Sequence, residues 1–362
     1  MESAESRVRV NTGSLPVPCV QELGKESRIT DPSRHIRCEK DQAIVSEAAH
    51  DVPIINLQGL LSEESMASEL ARLHFACKEW GFFQLVNHGV NSSLMEKIKT
   101  QILDFFNLPM EEKKKFRQKP GDLEGFGQAI AESEEQKPDW GDMFYIKTFP
   151  IHIRKPHLFP KLPLPFRETL ELYSLELKSL AMFILAQMAK ALKMEPEEMK
   201  ELFEDGEQSM RMNYYPRCPQ PEQVNGISPH SDAVGLTILL QVNEVEGLQI
   251  RKDGMWVPLN PLPGAFVVNI GDILEIVTNG EYHSIEHRAR VNSTKERISI
   301  ATFHTARIDG EIGPTPSLVT NQTPLLFKRV RVRDYYSGLF ARQIAGKSYL
   351  DAMRIRNIED KD

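Results

Sequence analysis

From Met210 onward the chain changes period. Short apolar runs punctuated by Gly and Pro replace longer helical stripes. They are Arg211–Tyr215, Leu236–Gln241, Leu248–Arg251, Trp256–Leu259, Ala265–Ile270, Ile285–Val291 and Arg297–Phe303. Strands at this density predict a sandwich or jelly-roll barrel in residues 206–308, because each half-apolar strand must bury one face against another. Asn269-Ile-Gly-Asp272 reads as a turn entering Ile273–Val277.

The preceding region, 51–205, is mostly helical in pattern. Val52–Leu57 reads as a first strand, then Ser65–Trp80 carries Leu70, Leu73, Ala76 and Cys77 at helical spacing and stops at Gly81. Phe82–Val86 reads as a buried strand, and Ser92–Asn107 as a helix with a stripe of Ile98, Ile102, Phe105 and Phe106. A short helix opens at Pro109. Pro165–Met194 is the strongest helix, with a broad apolar face in which the methionines fill core. Residues 117–163 show no long periodic element and are too long for an inert connection. Residues 1–50 form a polar arm with a short apolar anchor at Leu15–Val20, partly mobile on the body. Residues 309–362 form a helical cover over the barrel mouth, with helix expected from Leu325 to Met353.

Composition excludes several classes. Lysine and arginine total 44 against 51 acids, a net charge of −7, so nothing attracts nucleic acid or an anionic membrane in general. No apolar stretch of about 18 residues reads as a membrane span, and no secretory leader is evident. Four scattered cysteines without CxxC spacing fit a reduced, cytoplasmic setting. The sequons at Asn91 and Asn292 are then chance matches. A monomer acting on a small molecule is the expectation.

The chemistry concentrates between Ser228 and Phe303. Alternate residues of a strand share a face, so His230 and Asp232 aim at one point, as do Arg297 and Ser299. Two imidazoles, His230 and His287, with one carboxylate suit a half-open Fe(II) site. An Arg fork beside a hydroxyl suits a carboxylate ligand, and Asn213 and Tyr215 share a face that can reach it. Taken singly, His-x-Asp is common in hydrogen-bonded surface pairs and Arg-x-Ser is commoner still. Placed among apolar runs, such groups need partners. His283, His304 and His88 lie in turns or beyond strands and rank below His287, and Glu286 points away into solvent or an ion pair.

These residues carry a resemblance. Asn213-Tyr-Tyr-Pro216, His230–Gln241, Glu246–Ile250, Val268–Asp272, Asn279-Gly280, His287-Arg288, Arg297–Phe303 and Trp80–Gly89 resemble the plant 2-oxoglutarate- and Fe(II)-dependent dioxygenases. Leu325–Arg329 and Lys347–Asp351 are most similar to the senescence-related-gene-like group, which includes alkaloid O-demethylases. The resemblance implies an α+β fold, a double-stranded β-helix (jelly-roll) core flanked by helices. It implies iron on His230, Asp232 and His287. It also implies 2-oxoglutarate on Arg297 and Ser299, with Tyr215 and Asn213 beside it, O₂ as oxidant and ascorbate as reductant. Phe303 then faces the substrate pocket and Met143 its other side. Arg211, on the strand face of Asn213, can approach a polar substituent. Each of these three is equally compatible with plain packing. The implied reaction is hydroxylation or oxidative O-demethylation of an alkaloid- or flavonoid-like metabolite, with release of succinate and CO₂. An ascorbate-dependent oxidase and a non-catalytic sensor remain alternatives.

Overall fold

The computed structural model describes residues 19–23, 35, 52–119, 121–128, 137–341 and 348–355. Twelve strands build two facing sheets. They are β1 (Ile54–Asn56), β2 (Phe82–Val86), β3 (Gly125–Gly127), β4 (Asp142–Phe149), β5 (Gln208–Tyr215) and β6 (Ile227–His230). They continue with β7 (Leu236–Gln241), β8 (Leu248–Lys252), β9 (Met255–Pro258), β10 (Phe266–Ile270), β11 (His287–Ala289) and β12 (Arg297–His304). The larger sheet runs β1-β2-β10-β7-β12-β5-β4-β3 and the smaller β6-β11-β8-β9. All pairings are antiparallel except β1 with β2. This is the jelly-roll core of an α+β protein. Strands from both sides of residue 206 share the larger sheet.

The two faces of that sheet differ because alternation sends successive side chains opposite ways. Outward residues such as Ile238, Met212, Ile298 and Ile300 join one buried cluster with Leu170, Tyr173, Leu177 and Ile184 of the Leu164–Ala191 helix. Each such side chain contributes roughly 1.5–3 kcal/mol by leaving water. Pro165 sits in that helix's first turn, where its missing N–H costs nothing. By length and composition this helix is apolar enough to cross a membrane, against the expectation of no such stretch. Half of its most apolar window is buried inside the protein, as in a core helix.

Several predicted elements lie where the pattern put them. The Ser92–Asn107 helix is capped by Asn91, whose Oδ1 accepts from the N–H groups of Ser93 (2.8 Å) and Leu94 (3.2 Å). Asn292 likewise accepts from the Thr294 and Lys295 amides, so both sequon asparagines serve local turns. Gly81 ends the Met66–Trp80 helical stretch at φ 60°, and a Cβ there would lie 2.2 Å from the His283 carbonyl.

Other elements depart from expectation. The span 117–163 contains β4, an eight-residue strand paired along β5. The first strand is shorter than Val52–Leu57, because Leu57 already starts a helix to Leu61. The tail is not helical from Leu325. Val330–Arg331 is a strand, followed by helices Val332–Phe340 and Ser348–Met353. Tyr336 of the first helix ties it to the barrel, sharing a hydrogen bond with Thr305 Oγ1 (2.6 Å) and donating to the Ala233 carbonyl (3.1 Å). Of the N-terminal arm, Cys19–Leu23 docks on Asp142, which accepts from the Val20 and Gln21 amides. Leu15–Pro18, and the expected mobility of the arm, lie outside the described residues.

Candidate functional site

β6 and β11 pair so that His230 stands opposite His287, with ring centroids 4.3 Å apart. Asp232 Oδ1 lies 3.6 Å from His230 Nε2 and 3.7 Å from His287 Nε2. Among the described residues this is the group of three whose donor atoms all fall within 4.8 Å of one another. Each imidazole is oriented by its other nitrogen. Nδ1 of His230 meets the Ser228 carbonyl at 2.8 Å and Nδ1 of His287 the Ile285 carbonyl at 3.2 Å. A carbonyl can only accept, so the proton belongs on Nδ1 and the Nε2 lone pair faces the common point.

Asp232 is not on a strand, contrary to the alternation argument. It follows the last residue of β6, in the loop 231–235. Three backbone hydrogen bonds hold that loop to the start of the Asp272–Val277 helix. The Asp272 amide donates to Asp232 O (2.7 Å), Gly271 to Gly235 O (2.8 Å) and Ile273 to Val234 O (3.0 Å). The approach needs Gly271, since a Cβ would sit 2.2 Å from the Val234 carbonyl. On the carboxylate itself, Thr237 Oγ1 (2.7 Å) and Asn269 Nδ2 (2.8 Å) both donate to Oδ2. Oδ1 is left for the shared point.

Burial opposes ionisation of Asp232, yet the two imidazoles and the Asn269 amide hold its carboxyl well below the usual range. Burial, with His230 nearby, pushes His287 down to about 4. Burial also opposes charge on His230, but the hydrogen bond its protonated ring donates to the Asp232 carboxylate raises it above the ordinary value. A carboxylate and imidazoles converging from one side form a donor set for a divalent cation with open positions opposite.

A second feature of the same cavity is Arg297, 2% exposed. Its Nη2 donates to Gln241 Oε1 at 3.1 Å and its Nη1 only weakly to Ser299 Oγ at 3.4 Å. Its Nε is buried without a partner, and among the described residues no carboxylate pairs with it. Asn213 Oδ1 is similarly orphaned. The register explains the grouping. Arg297 pairs with Tyr215 and Ser299 with Asn213, so all four share the inward face, and the guanidinium lies 5.4 Å from the Tyr215 ring centroid. A buried guanidinium without an acid is costly, and a carboxylate ligand removes that cost.

Phe303 and Arg211 line this cavity as well. Met143 pairs with Asn213 on the inward face but is buried one strand beyond the cavity wall. Glu286 pairs with Arg251 at 2.6 Å, as expected of an outward group. His304 is buried elsewhere, against the Leu164–Ala191 helix, where burial pushes it down to about 3. Thr237, Asn269, Gln241 and Phe82, whose ring packs edge-on 5.3 Å from His287, escaped sequence reasoning. The first three carried a legible signal, a polar residue at an inward position of an otherwise apolar strand.

A jelly roll holding two imidazoles, a carboxylate and an unpaired inward arginine in one cavity is the architecture of a non-haem iron oxygenase. The chain belongs to the 2OG-Fe(II) oxygenase superfamily, which residues 206–306 match, while residues 52–162 match the family "non-haem dioxygenase in morphine synthesis N-terminal". It is 57% identical to Protein SRG1 of Arabidopsis thaliana, over 97% of this chain and 100% of that one. It is 55% identical to oxoglutarate-dependent flavonoid 7-O-demethylase 1 of Ocimum basilicum (95% and 92% covered). Identity to codeine O-demethylase of Papaver somniferum is 54% (97% and 100% covered). The crystal structure of JOX2 in complex with 2OG, Fe and JA superposes with a TM-score of 0.85 at 35% identity, covering 94% of this chain and 99% of that one. The protein is thus an Fe(II)- and 2-oxoglutarate-dependent dioxygenase, with O₂ as oxidant and ascorbate the reductant typical of the family.

Proposed function

We propose that His230, Asp232 and His287 hold the iron, and that Arg297 and Ser299, flanked by Tyr215 and Asn213, hold the distal carboxylate of 2-oxoglutarate. The observation that carries this is the placement of a metal donor set and a buried guanidinium, which no carboxylate among the described residues pairs with, in one cavity. Bound there, Fe(II) with 2-oxoglutarate and O₂ supplies oxidation of a C–H bond, with succinate and CO₂ released and, where the carbon is an O-methyl, formaldehyde and a free hydroxyl. The chain's own residues do the rest. Ser228 and Ile285 fix the imidazole tautomers, Thr237 and Asn269 fix the carboxylate, and the apolar walls at Phe82, Leu239 and Val267 exclude water.

The substrate in this reading is a small plant specialised metabolite, alkaloid- or flavonoid-like, that is hydroxylated or O-demethylated. Two relatives named as demethylases of a flavonoid and of codeine support it, as does the aromatic wall at Phe303. The reading includes a cytoplasmic monomer acting without nucleic acid or membrane. The net charge of −7 and the free thiols of Cys19, Cys77 and Cys218 support that. The test is a panel of methoxylated flavonoids and alkaloids incubated with Fe(II), ascorbate and 2-oxoglutarate, scored by succinate and product mass. Succinate formed in step with a hydroxylated or demethylated product is expected. Product formed with ascorbate but without 2-oxoglutarate indicates an oxidase, and binding without O₂-dependent turnover indicates a sensor.

A further inference from the structure

We propose that Tyr336 is a positioning residue for the metal site: its hydroxyl holds the loop that carries Asp232, and so couples docking of the Val332–Phe340 helix to metal binding. The proposal rests on the assignment of His230, Asp232 and His287 above, and adds to it a residue from outside their cavity.

Loop 231–235 places Asp232 through its backbone, since that residue belongs to no strand. The carbonyls of Asp232, Val234 and Gly235 accept from the amides of Gly271–Ile273. The Ala233 carbonyl, one residue past Asp232, accepts instead from Tyr336 Oη at 3.1 Å. Thr305 Oγ1 lies 2.6 Å from the same hydroxyl. A carbonyl can only accept, so the single phenolic proton points at Ala233 and Thr305 donates to Tyr336. Thr305, one residue beyond β12, is itself fixed by the hydrogen bond from its amide to the Glu207 carbonyl (3.0 Å). The hydroxyl therefore has a set direction, and a relay runs from the end of β12 through Tyr336 to the residue next to Asp232.

A tether for the helix alone would be the plainer role. The helix, however, already buries Val332, Tyr335 and Leu339 against the body. Burial of three such side chains outweighs one neutral hydrogen bond several-fold. The helix thus stays docked without the hydroxyl, and the loss falls on the loop. There, Thr237 and Asn269 fix Oδ2 of the carboxylate, whereas the backbone that sets the position of Oδ1 can shift once the Ala233 carbonyl loses its donor. Partners that orient a ligand in this way govern metal affinity. By linkage, a metal that holds the loop must hold Tyr336 and its helix more firmly in return. Neighbouring Tyr335 supplies an internal control, because its hydroxyl is buried without a hydrogen-bond partner among the described residues.

The test uses the full chain with Mn(II). In the wild type, amide exchange across residues 332–340 should slow about 2- to 10-fold on loading. Tyr336→Phe keeps the ring. It should lose that slowing, bind Mn(II) about 3- to 10-fold more weakly, and shift the charge-transfer band of the Fe(II)–2-oxoglutarate chelate. Thr305→Val, which frees the direction of the hydroxyl, should weaken Mn(II) binding less. Tyr335→Phe should match the wild type in all three measurements, although it removes a hydroxyl from the same helix. Unaltered exchange across 332–340 in the wild type, wild-type Mn(II) affinity in Tyr336→Phe, or an equal loss in Tyr335→Phe overturns the proposal. The wild-type exchange result decides even if Tyr336→Phe does not fold. Mn(II) that does not bind the wild type, or binds His230→Ala as tightly, overturns the functional reading instead.

Discussion

The two faces of β12 set side by side what stabilises this protein and what it does. Outward, Ile298 and Ile300 are fully buried against the cluster that includes the Leu164–Ala191 helix. Inward, Arg297, Ser299 and Phe303 face the cavity, and Arg297 is left with an orphaned Nε. The same strand thus carries satisfied apolar contacts on one side and polar groups awaiting a ligand on the other. Stability should reside in the first face and chemistry in the second.

That division can be broken in either direction. Ile300→Ala leaves a cavity under the helix and should cost about 2–5 kcal/mol of stability by denaturant titration. The KM for 2-oxoglutarate of the folded fraction should stay unchanged, and a shift there would show that the faces are coupled. Arg297→Ala should do the converse. Losing charge-assisted bonds of about 1.5–3 kcal/mol raises the KM for 2-oxoglutarate roughly 10- to 100-fold. Stability of the unloaded protein should hold or rise, because an unpaired buried charge has been removed. Asn269→Ala frees Asp232 Oδ2 on one side and should weaken Fe(II) binding about 10- to 100-fold in a chelator competition, with Thr237 still in place.

The smallest effect is the pH dependence of metal uptake. A histidine must be neutral to bind a metal. Burial keeps His287 near 4, and Asp232 is already ionised far below neutrality, so neither competes with protons in the weakly acidic range. The hydrogen bond that His230 donates to the Asp232 carboxylate raises it, so metal affinity should fall as pH drops through that one group. A logarithmic plot of affinity against pH then has a slope near one, and a slope near two would mean that both imidazoles titrate together.

What the sequence disclosed follows the same two faces. The helices and long strands were legible because an apolar stripe has a period, as in Ile98, Ile102, Phe105 and Phe106 or along Leu236–Gln241. The proposed iron donors and the Arg297–Ser299 pair were legible because such residue types are expensive inside apolar runs. β4 was hidden because both its faces are mixed. Met143, Tyr145 and Lys147 alternate with Phe144, Ile146 and Thr148, behind a stretch rich in Gly, Pro and charge. β6 was hidden because it has four residues, one of them Pro229. Asp232 owes its place beside His230 and His287 to a cause that its spacing does not show. A hydrogen-bonded loop, not strand alternation, aims it, and that loop depends on backbone contacts with Gly271–Ile273, which no pattern near His230 reveals.

If the imidazoles of His230 and His287 and the Asp232 carboxylate carry the iron to which 2-oxoglutarate binds, adding Fe(II) and then 2-oxoglutarate to the protein without O₂ should produce the visible charge-transfer absorption of the chelate. The wild type should develop that band, whereas His230→Ala, folded by circular dichroism, should show neither the band nor succinate formation once O₂ is admitted. A His230→Ala protein that retains both would contradict the assignment.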